Sequence, residues 1–234
     1  INAGIVKELA EGVVKNCPNA FVLVISNPVN STVPIVCEVL KKHNIFDPRK
    51  VFGISTLDSV RSSRFVSEVN SAIDPKATRV TVIGGHSGTT IVPILSQIPG
   101  QKFTKEQFEE LTHRIQYGGD EVVKAKDGAG SATLSMAFAG ARFTTAVLEA
   151  TVAGKRGLVE STYVNLLADE ARTADFRAEN HLDYFAQDVE FGPEGVHKIL
   201  PLPELSGYEK LLLEAAIKEL KANIIKGTTF VTSD

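Results

Sequence analysis

Apolar residues in this chain fall into runs of two kinds. Over residues about 3–16, Ile5, Val6, Leu9, Val13 and Val14 recur at helical spacing, which predicts an amphipathic helix carrying all five on one side. Cys17-Pro18-Asn19 stops it, proline being frequent just past a helix end. Phe21-Val22-Leu23-Val24-Ile25 is apolar without interruption, as a strand buried on both faces requires. A polar turn, Ser26-Asn27-Pro28-Val29-Asn30, leads into a second helical pattern over 31–43, and Val51-Phe52-Gly53-Ile54 reads as a second strand. Helix, strand, helix, strand over residues 1–55 is the alternation of a parallel α/β sheet.

Past residue 55 the alternation loosens. Residues 58–72 read as a helix. Arg79-Val80-Thr81-Val82-Ile83 reads as a strand running into Gly84-Gly85-His86-Ser87-Gly88, and Ile91 to Leu95 is another apolar run. Thr104-Lys105-Glu106-Gln107 is a capping box that opens a helix to about 125, and 131–153 is a second long helix rich in small residues. Strands are expected at 160–167 and about 184–200. Ser206-Gly207-Tyr208-Glu209 is a second capping box; it opens a last helix with Leu212, Ala216, Leu220 and Ile224 on one side. Strands set between long helices predict an α+β second domain. The division expected is 1–55 and 56–234.

Composition narrows the possibilities. At 234 residues, 43% hydrophobic and 23% charged, the chain has the make-up of a globular protein, not of a disordered, collagen-like or membrane-embedded one. Its net charge of −3 supplies no whole-domain basic surface for nucleic acid or anionic lipid. Cys17 and Cys37 are too few for a disulfide scaffold and lack metal-ligand spacing, so no metal is expected. The chain opens Ile1-Asn2-Ala3-Gly4 without an initiator Met or a secretory pattern, and is expected to be part of a longer protein.

Three places carry candidate chemistry. Asp58 and Arg61, three apart at a helix start, can project from one face: either a cap with a surface ion pair, or a carboxylate that orients a base beside a guanidinium that grips an anion. His86 follows a strand in a glycine-rich turn, which suits either an ordinary loop histidine or one exposed to a ligand. Asn27 stands just past the strand 21–25; Asn-Pro alone would explain a turn, but ligands of open parallel sheets bind beyond the carboxyl ends of strands. His86-Ser87 does not form a hydrolase elbow, because position 89 is Thr where Gly is needed. Gly128-Ala129-Gly130-Ser131-Ala132-Thr133 only partly mimics a dinucleotide fingerprint and follows a helix, so packing or capping is the better reading. His43, His113, His181 and His197 are scattered and read as surface or structural.

Taken in order, Asn2-Ala3-Gly4-Ile5-Val6, Ser26-Asn27-Pro28-Val29-Asn30-Ser31-Thr32, Thr56-Leu57-Asp58-Ser59-Val60-Arg61, Ile83-Gly84-Gly85-His86-Ser87-Gly88 and Ala129-Gly130-Ser131-Ala132-Thr133-Leu134-Ser135-Met136 closely resemble one family. Leu95-Ser96-Gln97 and Arg114-Ile115-Gln116 agree with it. The chain resembles the malate dehydrogenases of the mitochondrial and enterobacterial type, within the lactate/malate dehydrogenase family, nearly end to end. The resemblance implies the end of a Rossmann-type parallel sheet followed by the α+β catalytic domain of that family. It makes His86 the general acid/base, Asp58 its orienting carboxylate, Arg61 the clamp on the substrate carboxylate and Asn27 a contact of both substrate and cofactor. Asn2, Ile25, Ser26 and Met136 would lie along NAD.

The same resemblance implies interconversion of malate and oxaloacetate in the mitochondrial matrix, with another organelle or a bacterial cytoplasm as alternatives, by a homodimer with helices 131–150 and 31–42 among its interface elements. The family's glycine-rich nucleotide turn and its two-arginine loop are not in this sequence, so the chain by itself is expected to be inactive. A lactate-type 2-hydroxyacid dehydrogenase and a non-catalytic dimerisation fragment are the alternatives.

Overall fold

In a computed structural model the described residues are 1–128 and 132–233. The chain runs α1 (Asn2–Asn16), β1 (Val22–Val24), α2 (Val29–Lys42), β2 (Val51–Ile54) and α3 (Thr56–Val69). Then come β3 (Val82–Gly84), β4 (Ile91–Pro93), α4 (Lys105–Ala125), α5 (Thr133–Thr151) and β5 (Val159–Asn165). It closes with α6 (Glu170–Asn180), β6 (Tyr184–Gly192), β7 (Gly195–Ile199) and α7 (Gly207–Thr232).

The strands make one mixed sheet in the order β1-β2-β5-β6-β3-β4, with β7 also paired to β6. Only β1 and β2 are parallel. From β2 onward every described pairing is antiparallel: Phe52 faces Val164, Tyr163 faces Ala186 and Gly84 faces both Ala186 and Ile91. The parallel α/β start and the antiparallel continuation therefore share a sheet, and β2 is the strand that joins them. Phe52 of β2, Phe143 of α5 and Phe191 of β6 pack edge to face with centroids 5.4–5.7 Å apart, each pair adding about 0.5–1.5 kcal/mol beyond its burial. A smaller core, with Val66, Val80, Leu95, Leu111 and Ile115, fills the space under α3 and α4.

Both capping boxes form as the sequence predicts. Thr104 accepts from the Gln107 amide, and Ser206 from that of Glu209. Glu209 is fully buried; besides the Ser206 amide it holds the amide and hydroxyl of Ser96, which ties the start of α7 to the loop after β4. Further along, α7 lies so close to α2 that a Cβ on Gly227 would sit 2.3 Å from the Ser31 carbonyl oxygen. Only glycine permits that approach.

Several expectations need correction. On α1, Val6 and Ala10 face inward, while Ile5 and Leu9 are exposed; α1 packs along α2, which selects one narrow edge of its broad apolar face. The second helix begins at Val29, so Asn30 sits inside it and not in the preceding turn. The strand expected at 79–83 is displaced to Val82–Gly84, and 184–200 divides into the hairpin β6–β7. The helix Glu170–Asn180 is not anticipated, because it is polar almost throughout; its buried residue is Thr173, which donates to the Leu166 carbonyl, and Phe176 packs against Phe185. Residues 31–42 lie mostly buried between α1 and α7. Both cysteines are free, and burial pushes the Cys37 thiol up to about 12. No helix among the described residues is long and apolar enough to cross a membrane.

Candidate active site

β1 and β2 run parallel, so their carboxyl ends open on the same edge of the sheet. Asn27 follows β1 and Asp58 follows β2, the latter in the first turn of α3. The α3 N-terminus favours a carboxylate at that point through its unpaired amides. Asp58 is nonetheless no surface cap: it is fully buried.

Its partner comes from the β3–β4 turn. Gly84 adopts φ +99°, and a Cβ on Gly85 would stand 2.6 Å from Asn30 Oδ1 and 2.8 Å from Leu220 Cδ2. The paired glycines let the backbone press against α2 and α7 and turn the next side chain, His86, toward α3. His86 Nδ1 donates to Asp58 Oδ2 at 2.5 Å, with both side chains almost wholly buried. Burial disfavours the imidazolium, but the charge and hydrogen bond of Asp58 outweigh it against a smaller opposing push from Arg61. The His86 pKa is therefore raised above 6.5.

Arg61 lies one turn along α3 from Asp58, with its guanidinium over α4; a Cβ on Gly119 would be 3.8 Å from its Nη1. Partial burial lowers the Arg61 pKa, opposed by Asp58 and Glu121. Among the described residues Arg61 has no hydrogen bond or ion pair. Glu121, the nearest candidate on α4, is held by Arg114 through two bonds of 2.9 and 3.2 Å. Five donors of a half-buried guanidinium thus remain for a ligand.

These groups line one cleft of about 420 Å³, shared with Asn27, Gln116 and Met136. Larger hollows exist, one of about 510 Å³ beside Phe176 and Leu200, and none of its described lining residues is a histidine. The other cofactor candidates lie around the end of β1 and are not among the residues lining the cleft. Asn2 donates to the Asn27 carbonyl at 2.9 Å, Ser26 accepts from Thr32 through its own carbonyl, and Ile25 is partly exposed against α5 at Gly140, one turn beyond Met136. The side-chain amide of Asn27 has no partner among the described residues. An exposed apolar surface beside a free amide suits a flat, amide-bearing ring such as nicotinamide.

The structure thus gathers His86, Asp58, Arg61, Asn27 and Met136 at one cleft, and sets Asn2, Ile25 and Ser26 around the strand end that carries Asn27. Ala129, Gly130 and Ser131, part of the motif before Met136, lie outside the described residues. Two further residues join the site. Gln116 reaches the cleft from α4 and donates to the Ile91 carbonyl. Asn30 is buried behind His86; its signal was the second asparagine of Asn27-Pro28-Val29-Asn30, which reads as turn chemistry. His43 is a surface residue, as expected, though it pairs with Glu11 at 2.9 Å. No group of three or more metal-ligating side chains occurs among the described residues.

The cleft thus sets a buried carboxylate–imidazole pair beside a guanidinium with no partner among the described residues, at the carboxyl edge of an α/β sheet. Family models place it more closely: the lactate/malate dehydrogenase α/β C-terminal domain matches residues 55–231, and the NAD-binding domain of the same family matches residues 1–53. The chain belongs to the lactate/malate dehydrogenase family. It is 51% identical over its whole length to the mitochondrial malate dehydrogenase of Saccharomyces cerevisiae, covering 67% of that protein. It is 49% identical over 98% of its length to a Vibrio parahaemolyticus malate dehydrogenase, of which it covers 70%. Among solved structures, the lactate dehydrogenase of Cryptosporidium parvum, complexed with lactic acid and a nicotinamide dinucleotide, superposes over all of this chain and 69% of its own. That match has a TM-score of 0.76 at 25% identity. The chain spans about two thirds of the length of its curated relatives, 64% in the case of Caenorhabditis elegans mitochondrial malate dehydrogenase.

Proposed function

We propose that this chain supplies the acid/base and carboxylate-binding groups of an NAD-dependent malate dehydrogenase, which interconverts malate and oxaloacetate. The observation that carries the proposal is the 2.5 Å pair His86–Asp58 in the same cleft as the unpartnered Arg61. Identity of about half to relatives named malate dehydrogenase is what favours malate over lactate, since the solved malate and lactate dehydrogenase structures match this chain equally, at 22–25% identity.

The residues present divide the work. Arg61 takes the carboxylate next to the reacting carbon in two parallel hydrogen bonds and so fixes which face of that carbon is presented. With Nδ1 committed to Asp58, the other ring nitrogen of His86 accepts the proton of the C2 hydroxyl. Asp58 keeps the ring in that tautomer and stabilises the imidazolium that results. NAD, when bound, accepts the hydride. Asn27, Ile25, Ser26, Asn2 and Met136 are the side of the cleft toward which the nicotinamide would be held, and their exposed apolar and free amide groups fit it. Positioned proton transfer of this sort contributes about 10²–10⁴ in rate.

The test is a full-length protein carrying this chain, supplied with malate and NAD and followed by nicotinamide absorbance. Malate should be oxidised at least about a hundredfold more efficiently than lactate. Equal use of lactate would favour the 2-hydroxyacid alternative, and no turnover of either would remove the enzymatic reading.

A homodimer and a mitochondrial location belong to the same proposal. Leu134 and Phe138 of α5 are exposed, and Phe138 and Arg142 share a hollow of about 480 Å³ with Val60 and Arg64 of α3. That face, adjoining the helix which carries Asp58 and Arg61, is where a second copy would dock. Sedimentation of Phe138→Asp should yield a lighter species than the unaltered protein. Relatives named mitochondrial support that location, while others of similar identity are named glyoxysomal or come from bacteria.

A further inference from the structure

We infer that Asn30 is a positioning residue for His86, holding the main chain of the histidine as Asp58 holds its ring, with α7 bracing the arrangement from behind. The inference rests on the acid/base role proposed for His86.

Asn30 lies in the first turn of α2 and is fully buried. Its Oδ1 accepts from the His86 backbone N–H at 2.8 Å. An N–H can only donate, which settles the orientation of the amide. Nδ2 then donates to Ser87 Oγ at 2.9 Å and Thr90 Oγ1 at 3.0 Å, and stands 3.5 Å from Asn223 Oδ1 of α7. One side chain therefore binds residue 86 and the hydroxyls at both ends of the short helical turn that follows it. Thr90 completes the closure: its hydroxyl accepts from the Ser87 amide at 3.1 Å and donates to the Ser87 carbonyl at 2.7 Å.

The space is matched to this contact. A Cβ on Gly85 would come within 2.6 Å of Asn30 Oδ1, so residue 85 has no side chain where the amide must reach the backbone. α7 presents three residues from one side. Leu220 packs at Gly85, Glu219 accepts from the Thr89 hydroxyl, and Asn223 contributes its side chain to Asn30 and its carbonyl to Ser31. A buried amide with all its partners in place is rigid; one with any partner missing is costly, which is why such a network defines a single geometry. The charged groups near the His86 ring are Asp58 and Arg61 on α3 and Asp120, which lines the same cleft from α4. None of them touches the residue 86 backbone.

The test compares Asn30→Ala and Asn30→Asp in the full-length protein. It reads kcat and KM for malate, the pH midpoint of turnover, and the titration of the His86 imidazole by NMR without substrate. Asn30→Ala should lower kcat about ten- to a hundredfold, as a misplacement of about 1 Å does, while KM stays within about twofold. Its imidazole midpoint should fall toward the ordinary 6.5 as the ring drifts from Asp58. Asn30→Asp restores an acceptor for the His86 N–H and adds negative charge, so its midpoint should rise above that of the unaltered protein.

The fall in Asn30→Ala, which adds no charge, supports positioning; a purely structural residue would lower stability there and leave the midpoint alone. Unchanged kcat and midpoint in folded Asn30→Ala would overturn the inference, as would shifts of the same sign in both variants. If Asn30→Ala does not fold, Asn30→Ser, which is neutral and too short to reach the His86 amide, takes its place, and an unmoved kcat and midpoint there overturn it. Opposite shifts with unaltered turnover would uphold the positioning of His86 and remove its acid/base role, so the two readings fail separately.

Discussion

His86 Nδ1 and Asp58 Oδ2 are 2.5 Å apart with both side chains almost wholly buried, and the second carboxylate oxygen of Asp58 has no hydrogen-bond partner among the described residues. The ring is thus the sole described hydrogen-bond partner of a buried carboxylate. Replacing Asp58 by Asn removes the charge that raises the His86 pKa and leaves burial as the dominant influence, so the imidazolium becomes harder to form. Oxaloacetate reduction needs that imidazolium. In Asp58→Asn its rate should fall by about 10²–10⁴, and the decline with rising pH should begin at a lower pH than in the unaltered protein. Rate profiles from pH about 5 to 9 check this, spanning the histidine range.

The same pair makes stability depend on pH. The His86 pKa is higher in the folded chain than its ordinary 6.5, so folding gains from the proton on His86. That contribution is complete below 6.5 and disappears as pH rises through the folded value. Urea unfolding of the protein and of His86→Gln, each at several pH values, should show a stability difference that narrows across that window.

Arg61 should behave as a ligand group and not as a strut. Arg61→Gln removes two charge-assisted hydrogen bonds to substrate, which corresponds to a loss of about ten- to a hundredfold in kcat/KM, expressed largely in KM. Lysine should not restore it, because a single ammonium lacks the planar fork. Removing Arg61 also removes a charge that opposes the imidazolium, so the turnover midpoint should move up. Steady-state kinetics with malate measure both. An unaltered KM would place Arg61 in the framework.

Glu209 has the opposite character: far from the cleft, fully buried, and engaged at every turn. Glu209→Ala would strand the amides of Ser96 and Ser206, and stability should drop by about 2–4 kcal/mol in chemical denaturation. Glu209→Gln, which keeps an acceptor, should lose less. Activity at moderate temperature should survive both changes.

Residues whose chemistry is local were legible in the sequence. The capping boxes at Thr104 and Ser206 were, because a cap spans four residues. So were the strand 51–54 and the placement of Asn27 past β1, because a short apolar run fixes both. Asp58, Arg61 and His86 could be named as candidates from spacing, but their roles came only from the ordered motifs of the resemblance. The reason is visible in the fold: His86 and Asp58 are 28 positions apart and meet only when the β3–β4 turn is pressed toward α3. Asn30 was misread for a related cause. Asparagine after Asn-Pro has a sufficient local explanation, whereas its four partners lie 56 to 193 positions away. α6 escaped notice because its helical face is polar and its one large apolar residue, Phe176, is only partly buried.

The central claim is that His86 moves the proton in a malate–oxaloacetate interconversion. It is tested most directly by turnover of malate and NAD in a full-length protein carrying His86→Gln, with folding confirmed by circular dichroism. The account predicts a loss of at least about a hundredfold in kcat. Turnover within a few-fold of the unaltered protein would contradict it.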